Sequence, residues 1–190
     1  MRPNAGGTPA LILDRDGVIN EDVGFLWQIE RCRFVDGIFD VARHFAARGY
    51  LIVVATNQSG IGRGLFTEAD FRTLMDYIVA EFRRLGAPIA AVYHAPEHPT
   101  EGVGRYRRDS AWRKPNPGMI LAAERDLGLD LARSWGIGDE MRDVIACRDA
   151  GVGTLVLLDR SVGAPAETGG VWVVPRLADV LALAEGEKAR

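Results

Sequence analysis

Two carboxylates stand one residue apart, directly after the first apolar run of the chain. Asp14 and Asp16 follow Ala10–Leu13, which has the length and composition of a buried strand. Two acids in such a place repel each other unless a positive charge, usually a divalent cation, lies between them. The pair indicates either a metal-dependent site, with a nucleophilic Asp beside a general acid and base, or an acidic turn that caps backbone amides.

A polar, glycine-rich loop follows the second predicted strand, Leu51–Ala55. The side chains in this loop that could contact an anion are Thr56, Asn57, Gln58, Ser59 and Arg63. Three glycines in the same loop allow backbone amides to approach a phosphate closely. Polar residues separate these glycines from the strand, so their spacing is not that of a dinucleotide-binding fingerprint. The alternative is a flexible loop with a solvated arginine.

A lysine and two aspartates precede or begin later helices. Lys114 follows Arg113 just before a predicted helix, where a cation beside a helix N-terminus favours an anion; the alternative is a surface cation. Asp139 ends a short apolar strand, as Asp14 does, and is a natural second ligand for a hard cation. Asp143 lies one helical turn later, and either orients the site or merely favours the helix start.

Strands and helices alternate along the chain, and this alternation must position the clusters. Strands are predicted at 10–13, 51–55, 89–94, 135–138, 153–158 and 171–174, and helices at 37–48, 68–85, 117–127, 141–150 and 176–185. The connections are too long for hairpins. The pattern therefore predicts an α/β fold of the Rossmann-like, doubly wound type, with a mostly parallel sheet and helices on both faces. Ligands bind at the carboxyl ends of such strands.

Composition narrows the class of protein. The chain has 190 residues, of which 47% are hydrophobic and 26% charged, and its net charge of −3 gives no case for nucleic acid or an anionic membrane. Its apolar runs are far shorter than the ~20 residues that span a bilayer. We expect a cytoplasmic monomer with a single domain over 1–190, a flexible lead-in at 1–9 and a frayed tail at 186–190. Cys32 and Cys147 form no close pair.

Taken together, the clusters fit transfer of a phosphoryl group to a carboxylate. In this hypothesis Asp14 attacks phosphorus and forms an aspartyl-phosphate, with Mg²⁺ bound beside it. Asp16 protonates the leaving alkoxide and then activates water. Thr56 and Lys114 neutralise charge on the phosphoryl oxygens. Two carboxylates are needed because Asp14 is esterified when the base acts.

These four clusters, in this order, resemble the haloacid dehalogenase superfamily of phosphohydrolases over about residues 10–158. The segments Asp14–Asn20, Thr56–Gly64 and Arg113–Met119 are similar to its histidinol-phosphate and heptose-bisphosphate phosphatase subgroup. The resemblance implies a capless fold and Mg²⁺ held by Asp14, the Asp16 carbonyl and Asp139. Implied substrate contacts are Asp22, Val23, Gly24, Phe25, Thr56, Asn57, Gln58, Ser59, Arg113 and Lys114.

The resemblance also implies a small-molecule phosphate as substrate, with a heptose bisphosphate the leading candidate. Histidinol phosphate, another small phosphate ester, or non-catalytic phosphate binding are the alternatives. In the family a lysine often follows the metal-binding aspartate. Here that position is Glu140, whose inverted charge argues against a bisphosphate.

A second departure concerns a zinc-binding loop that the family usually carries. The positions that match its ligands are Ala95, Glu97, Ser110 and Trp112. We therefore expect no structural zinc, and we expect this loop to be held in another way, such as packing of Tyr106 and Trp112.

Overall fold

A seven-stranded sheet organises the chain in the computed structural model, which describes residues 6–186. The strands are β1 (Ala10–Leu13), β2 (Leu51–Asn57), β3 (Ile89–Ala95), β4 (Trp135–Gly138), β5 (Thr154–Leu158), β6 (Ala166–Thr168) and β7 (Val171–Val174). The α-helices are α1 (Ile38–Ala46), α2 (Ser59–Gly62), α3 (Glu68–Arg84), α4 (Gly118–Leu127), α5 (Met141–Ala150) and α6 (Leu177–Gly186). Short 3₁₀ turns cover Ile29–Arg31, Gly104–Tyr106 and Leu131–Arg133.

The strand order β3-β2-β1-β4-β5-β7-β6 confirms the predicted doubly wound sheet. All neighbouring pairs are parallel except β6 and β7, which are antiparallel. The order reverses at β1, where Leu13 pairs with Val54 of β2 on one side and Ile137 of β4 on the other. A crevice opens at such a reversal, at the carboxyl ends of the strands. Asp14 is the first residue beyond β1 and therefore lies at this crevice.

Both faces of the sheet are buried, which explains the unbroken apolar runs in the strands. In β1, Leu11 and Leu13 join the cluster formed with α1, α3 and α6, whereas Ala10 and Ile12 join the cluster formed with α4 and α5. Successive side chains of a strand point to opposite faces, so each strand supplies both cores. None of the helices described between residues 6 and 186 is long and apolar enough to cross a bilayer.

Helix starts agree with the sequence in one place and differ in another. The Thr67 hydroxyl accepts a hydrogen bond from the Asp70 backbone at 3.1 Å and caps α3, as its position before the helix predicts. For α4, Asn116 with Pro117 after it has the sequence pattern of a cap and a first helical residue, but this expectation is wrong. Pro117 occupies the cap position, and the Asn116 amide donates instead to the Ser110 carbonyl at 2.9 Å.

Other boundaries also differ from the prediction. The loop at 56–66 contains the short helix α2, and the exposed strand β6 was not predicted because it has no apolar pattern. The lead-in predicted over 1–9 is too long: the Thr8 amide donates to the Gly128 carbonyl at 3.1 Å, and the Pro9 carbonyl accepts from Leu51 at 2.9 Å. Residues 1–5, and residues 187–190 of the predicted tail, lie outside the described residues.

We predict that Phe45→Ala lowers the free energy of unfolding by about 3–5 kcal/mol, because a buried aromatic leaves a cavity. Phe45 is 2% exposed, and its ring centroid lies 5.1 Å from that of Trp135 and 5.0 Å from that of Tyr50. Urea unfolding measures the loss. Leu121→Ala is the control, since Leu121 is 39% exposed and its truncation costs less than about 1 kcal/mol. Equal losses in both variants would contradict this account of the core.

Candidate active site

A cavity of about 200 Å³ lies at the carboxyl ends of β1, β2 and β4. It is lined by Asp14, Asp16, Asp22, Gly24, Phe25, Asn57, Gln58, Ser59, Arg63, Arg113, Asp139, Glu140 and Arg142. The loops after β1, β2, β3 and β4 all contribute to this lining, as the predicted topology requires. Three predicted site residues are not part of it: Val23 is exposed, whereas Thr56 and Lys114 are buried next to residues that line the cavity.

Lys114 carries a buried positive charge between two carboxylates. Its Nζ lies 2.9 Å from Asp14 Oδ1 and 2.7 Å from Asp143 Oδ1, and it donates to the Ala55 carbonyl at 2.8 Å. Burial alone would lower the pKa of Lys114, but the attraction of Asp14 and Asp143 outweighs it and raises the pKa. The ammonium is therefore permanently charged, and the alternative of a surface cation is wrong.

Asn57 fixes the backbone that carries Lys114. The Asn57 amide nitrogen donates to the Lys114 carbonyl at 3.0 Å, and the Lys114 backbone N–H donates to Asn57 Oδ1 at 3.0 Å. This two-way bond ties the loop before α4 to the end of β2. Asn57 lines the cavity, as its predicted role as a substrate contact requires. Both polar atoms of its amide are already bonded to the Lys114 backbone, so the observed role of this side chain is to position Lys114.

Three carboxylates converge beside Lys114. One oxygen from each of Asp14, Asp139 and Asp143 lies within 4.8 Å of the other two. Burial, and then the charges of Asp14, Asp143 and Glu140, raise the pKa of Asp139 to about 7. Burial, and then the charge of Asp14, also raise the pKa of Asp143. One ammonium for three acids leaves an excess of negative charge, and oxygen donors in this arrangement fit a hard divalent cation.

The partners of each carboxylate indicate which ones can bind that cation. Asp143 is committed, because its Oδ1 pairs with Lys114 and its Oδ2 accepts from the Glu140 backbone at 3.0 Å. Asp143 therefore contacts Lys114 and also caps the start of α5, so both roles that its spacing allowed are present. Asp14 Oδ1 accepts from the Arg15 backbone at 2.7 Å and pairs with Lys114, while its Oδ2 has no partner within residues 6–186. This leaves Asp14 and Asp139 as the two acids of the group that could hold a cation.

Asp16 is held by three side chains. Arg15 Nη2 lies 2.8 Å from Asp16 Oδ2, Gln58 Nε2 donates to the same oxygen at 2.9 Å, and Asn20 Nδ2 donates to Oδ1 at 3.0 Å. The Arg15 side chain is 1% exposed although it is a cation. Gln58 Nε2 also donates to the Thr56 hydroxyl at 3.0 Å and so connects the first two sequence clusters. Arg15 and Asn20 were not predicted as site residues, because their only signal in the sequence is their place in and after the Asp-x-Asp pair.

Two glycines leave room for the distal acids. A Cβ at Gly17 would lie 1.8 Å from Asp139 Oδ2, and φ at this residue is 82°, a region that favours glycine. A Cβ at Gly138 would lie 2.1 Å from the Cβ of Asp143. The side chains of Asp139 and Asp143 therefore pack directly against the main chain at these glycines. Any side chain at these two positions would displace a carboxylate.

The loop at 95–112, at which the resemblance implied zinc ligands, is held by polar contacts. Arg108 Nη2 lies 2.7 Å from Glu97 Oε1, Arg113 Nη1 donates to the Glu97 carbonyl at 3.2 Å, and the Val103 amide donates to the Gly62 carbonyl at 2.7 Å. The expectation for Tyr106 is confirmed, because it packs against the core.

The expectation for Trp112 holds only in part. Trp112 is 40% exposed, and its ring centroid lies 6.0 Å from that of Tyr93. This contact is therefore at the surface of the loop and not in a core.

An Asp-x-Asp pair at the reversal point of a doubly wound sheet, with a buried lysine and a distal aspartate beside it, defines a hydrolase of the haloacid dehalogenase class. A family model described as HAD-hydrolase-like matches residues 111–180. The chain is 53% identical over 149 residues to D-glycero-alpha-D-manno-heptose-1,7-bisphosphate 7-phosphatase of Burkholderia mallei, covering 78% of this chain and 79% of that one. It is 40% identical over 178 residues to the corresponding beta-heptose enzyme of Escherichia coli, covering 93% of each.

A solved structure agrees with these relatives. D,D-heptose 1,7-bisphosphate phosphatase from B. bronchiseptica, complexed with magnesium and phosphate, superposes with a TM-score of 0.79 at 29% identity, over 94% of this chain and 99% of that one. The chain belongs to the heptose-1,7-bisphosphate 7-phosphatase family of haloacid dehalogenase-like hydrolases, and it is a phosphatase.

We predict that stability without metal falls as pH rises from about 4, the ordinary aspartate pKa, to about 7, the pKa of Asp139. In this window the folded protein keeps a proton that the unfolded chain has lost, so a rise in pH favours unfolding. A bound divalent cation reverses the penalty, so Mg²⁺ should raise the melting temperature more at pH 8 than at pH 5. Calorimetry in EDTA and in Mg²⁺ measures both effects.

Asp139→Asn makes the matched comparison for this pH dependence. The variant should show a shallower fall in stability and a smaller response to Mg²⁺; some slope remains because the pKa of Asp143 is also raised. Asp76→Asn, at an exposed position of α3, should behave like the unmodified protein. If stability falls as steeply with pH in Asp139→Asn as in the unmodified protein, Asp139 is not the group that causes the fall.

Proposed function

We propose that this phosphatase removes the 7-phosphate of D-glycero-D-manno-heptose 1,7-bisphosphate, with Asp14 as nucleophile. The observation that carries the proposal is the buried Lys114, paired with Asp14 and Asp143 beside Asp139. This arrangement holds a carboxylate, a fixed cation and the acids suited to a metal ion together beside the end of β1. The names of the relatives support the choice of substrate.

Asp14 and Asp139 are suited to hold Mg²⁺, with the Asp16 carbonyl as a third protein ligand. The carboxylates fit because their excess charge, expressed in the raised pKa of Asp139, is what a divalent cation would neutralise. When bound, Mg²⁺ would supply positive charge to the phosphoryl oxygens.

The chain's own residues account for both halves of the reaction. The Asp14 carboxylate attacks phosphorus, a new O–P bond forms, and the bond between phosphorus and the sugar oxygen breaks. Asp16 gives its proton to the leaving oxygen and then takes a proton from the water that cleaves the aspartyl-phosphate. Phosphate leaves and Asp14 is regenerated. Lys114 remains charged throughout and stabilises the phosphoryl group where negative charge develops.

We expect the purified protein with Mg²⁺ to release one phosphate per heptose bisphosphate and to leave the sugar 1-phosphate, identified by phosphorus NMR. Both anomers are assayed, since the relatives' names differ in the anomer. EDTA abolishes release and Mg²⁺ restores it. Asp14→Asn should lose at least about 10⁴-fold in kcat, because an amide cannot form the covalent intermediate.

Asp76→Asn is the control for this assay and should retain full activity, and circular dichroism verifies that both variants are folded. Full activity of a folded Asp14→Asn, or phosphate release that EDTA leaves intact, would refute the proposed mechanism. Cleavage of the 1-phosphate in place of the 7-phosphate would refute the proposed substrate position.

We also propose that no structural zinc is bound in the loop at 95–112. Ala95 offers no ligand atom, and Glu97 is already paired with Arg108. Elemental analysis after dialysis against Mg²⁺ should give less than about 0.1 equivalent of zinc, whereas a complete tetrahedral site would retain about one. Asp139→Asn serves as the control that separates adventitious zinc at the acidic site from zinc in the loop. One equivalent in both proteins would overturn the proposal.

A further inference from the structure

Three arginines line the same cavity as the reacting group: Arg63, Arg113 and Arg142. The side chains of Arg63 and Arg142 are 27% and 41% exposed, whereas that of Asp14 is 9% exposed. The arginines therefore lie nearer the mouth of the cavity, and Asp14 lies at its base. A substrate whose reacting phosphate reaches Asp14 would place its other end among these cations.

The guanidinium groups of Arg142 and Arg63 both lie close enough to Arg113 to act on its charge. The pKa of Arg113 is lowered, first by burial and then by the charges of Arg142 and Arg63. Arg113 also has no carboxylate partner within residues 6–186; its Nη1 donates to the Glu97 carbonyl at 3.2 Å. Arg63 pairs with Glu101 and Arg142 with Glu140, so the cluster of three cations faces two carboxylates and keeps one positive charge in excess, which favours an anion between the guanidinium groups.

Arg142 is held in position but is not saturated. Its Nη2 lies 2.6 Å from Glu140 Oε1, which directly precedes α5. The Nε atoms of Arg142 and Arg63 are both buried without a hydrogen-bond partner among the described residues. A guanidinium has five N–H donors, so one carboxylate leaves several for a phosphate, with which arginine forms two parallel bonds.

The pairing changes the meaning of Glu140. The sequence alone presents an acid where relatives often have a lysine, which argued against a bisphosphate. In the folded protein Arg142 neutralises this acid and lines the cavity beside it. The positive charge is therefore carried two residues later, by Arg142, and Glu140 holds that side chain in place.

A wider cavity of about 810 Å³ adjoins Asp22, but its cations are less available. Arg160 donates to the Gly17 carbonyl at 2.8 Å, and Arg176 pairs with Asp179 at 2.9 Å. Asp36 adds negative charge to its lining. The arginines near Glu140 are therefore the better site for a second phosphate.

We propose that Arg142, oriented by Glu140, determines specificity for a doubly phosphorylated substrate by binding, with Arg63 and Arg113, the phosphate that is not transferred. This inference rests on the proposed function, because it assumes that the transferred phosphate occupies the position beside Asp14 and Lys114. Arg142 contributes binding of the distal phosphate and takes no part in bond making or proton transfer.

The test compares kcat/KM for heptose 1,7-bisphosphate with kcat/KM for the same heptose carrying only the 7-phosphate. The proteins are the unmodified chain, Arg142→Ala, Arg142→Glu and, as a control on the same helix, Arg148→Ala. The Arg148 side chain is 60% exposed and pairs with Asp149 outside the cavity. The monophosphate reaction also serves as the measure that each variant is folded and catalytically intact.

We expect Arg142→Ala to lose about tenfold or more in kcat/KM on the bisphosphate, the worth of a charge-assisted hydrogen bond, and less than about twofold on the monophosphate. Arg142→Glu should lose more on the bisphosphate, and Arg148→Ala should lose nothing. Equal losses on both substrates, or no loss on either, would overturn the role of Arg142. If the unmodified protein does not prefer the bisphosphate to the monophosphate, the proposed substrate is refuted as well. This outcome differs from the two above because it is seen before any substitution is made.

Discussion

The buried ammonium of Lys114 is the constraint around which the active site is arranged. An isolated charge in a protein interior is costly, and it is tolerated only where opposite charges and hydrogen-bond partners surround it. Asp14, Asp143 and the Ala55 carbonyl supply these partners. Asp14, Asp143 and the Lys114 ammonium therefore stabilise one another, and removal of any one of them would leave the others uncompensated. Three carboxylates face one ammonium, and the negative charge that remains favours a divalent cation at this position.

The parallel sheet makes this arrangement possible because it brings four distant segments to one edge. Asp14 lies 100 residues from Lys114 in the sequence, yet Asp14 directly follows β1 and Lys114 is bonded to Asn57 at the end of the neighbouring strand β2. The Asn57 amide then fixes the backbone of Lys114 relative to the end of β2. Farther out, the cavity changes from acidic to basic, so a single opening has carboxylates at its base and arginines near its mouth.

Local signals in the sequence were sufficient for most of the fold. Ala10–Leu13 and Trp135–Gly138 were predicted to the residue, because buried parallel strands are short, continuous and apolar. Strand β6 has every residue exposed and carries no such signal. The acids and Lys114 were recognisable by type and position. The roles of Asn57, Arg15 and Arg142 were not, because each depends on a partner or a side-chain direction that only the folded chain defines.

Gly17 and Gly138 have a consequence for how relatives are compared. Asp139 and Asp143 rest on bare main chain at these residues, so their carboxylates are confined before any ligand arrives. Confinement of this kind lowers the entropy that binding would otherwise cost. The positions of the two carboxylates therefore depend on glycine at residues 17 and 138 as much as on the acids themselves. A homologue that retains every aspartate and the lysine, but carries alanine at either glycine, would have the inventory of an active phosphatase without its geometry.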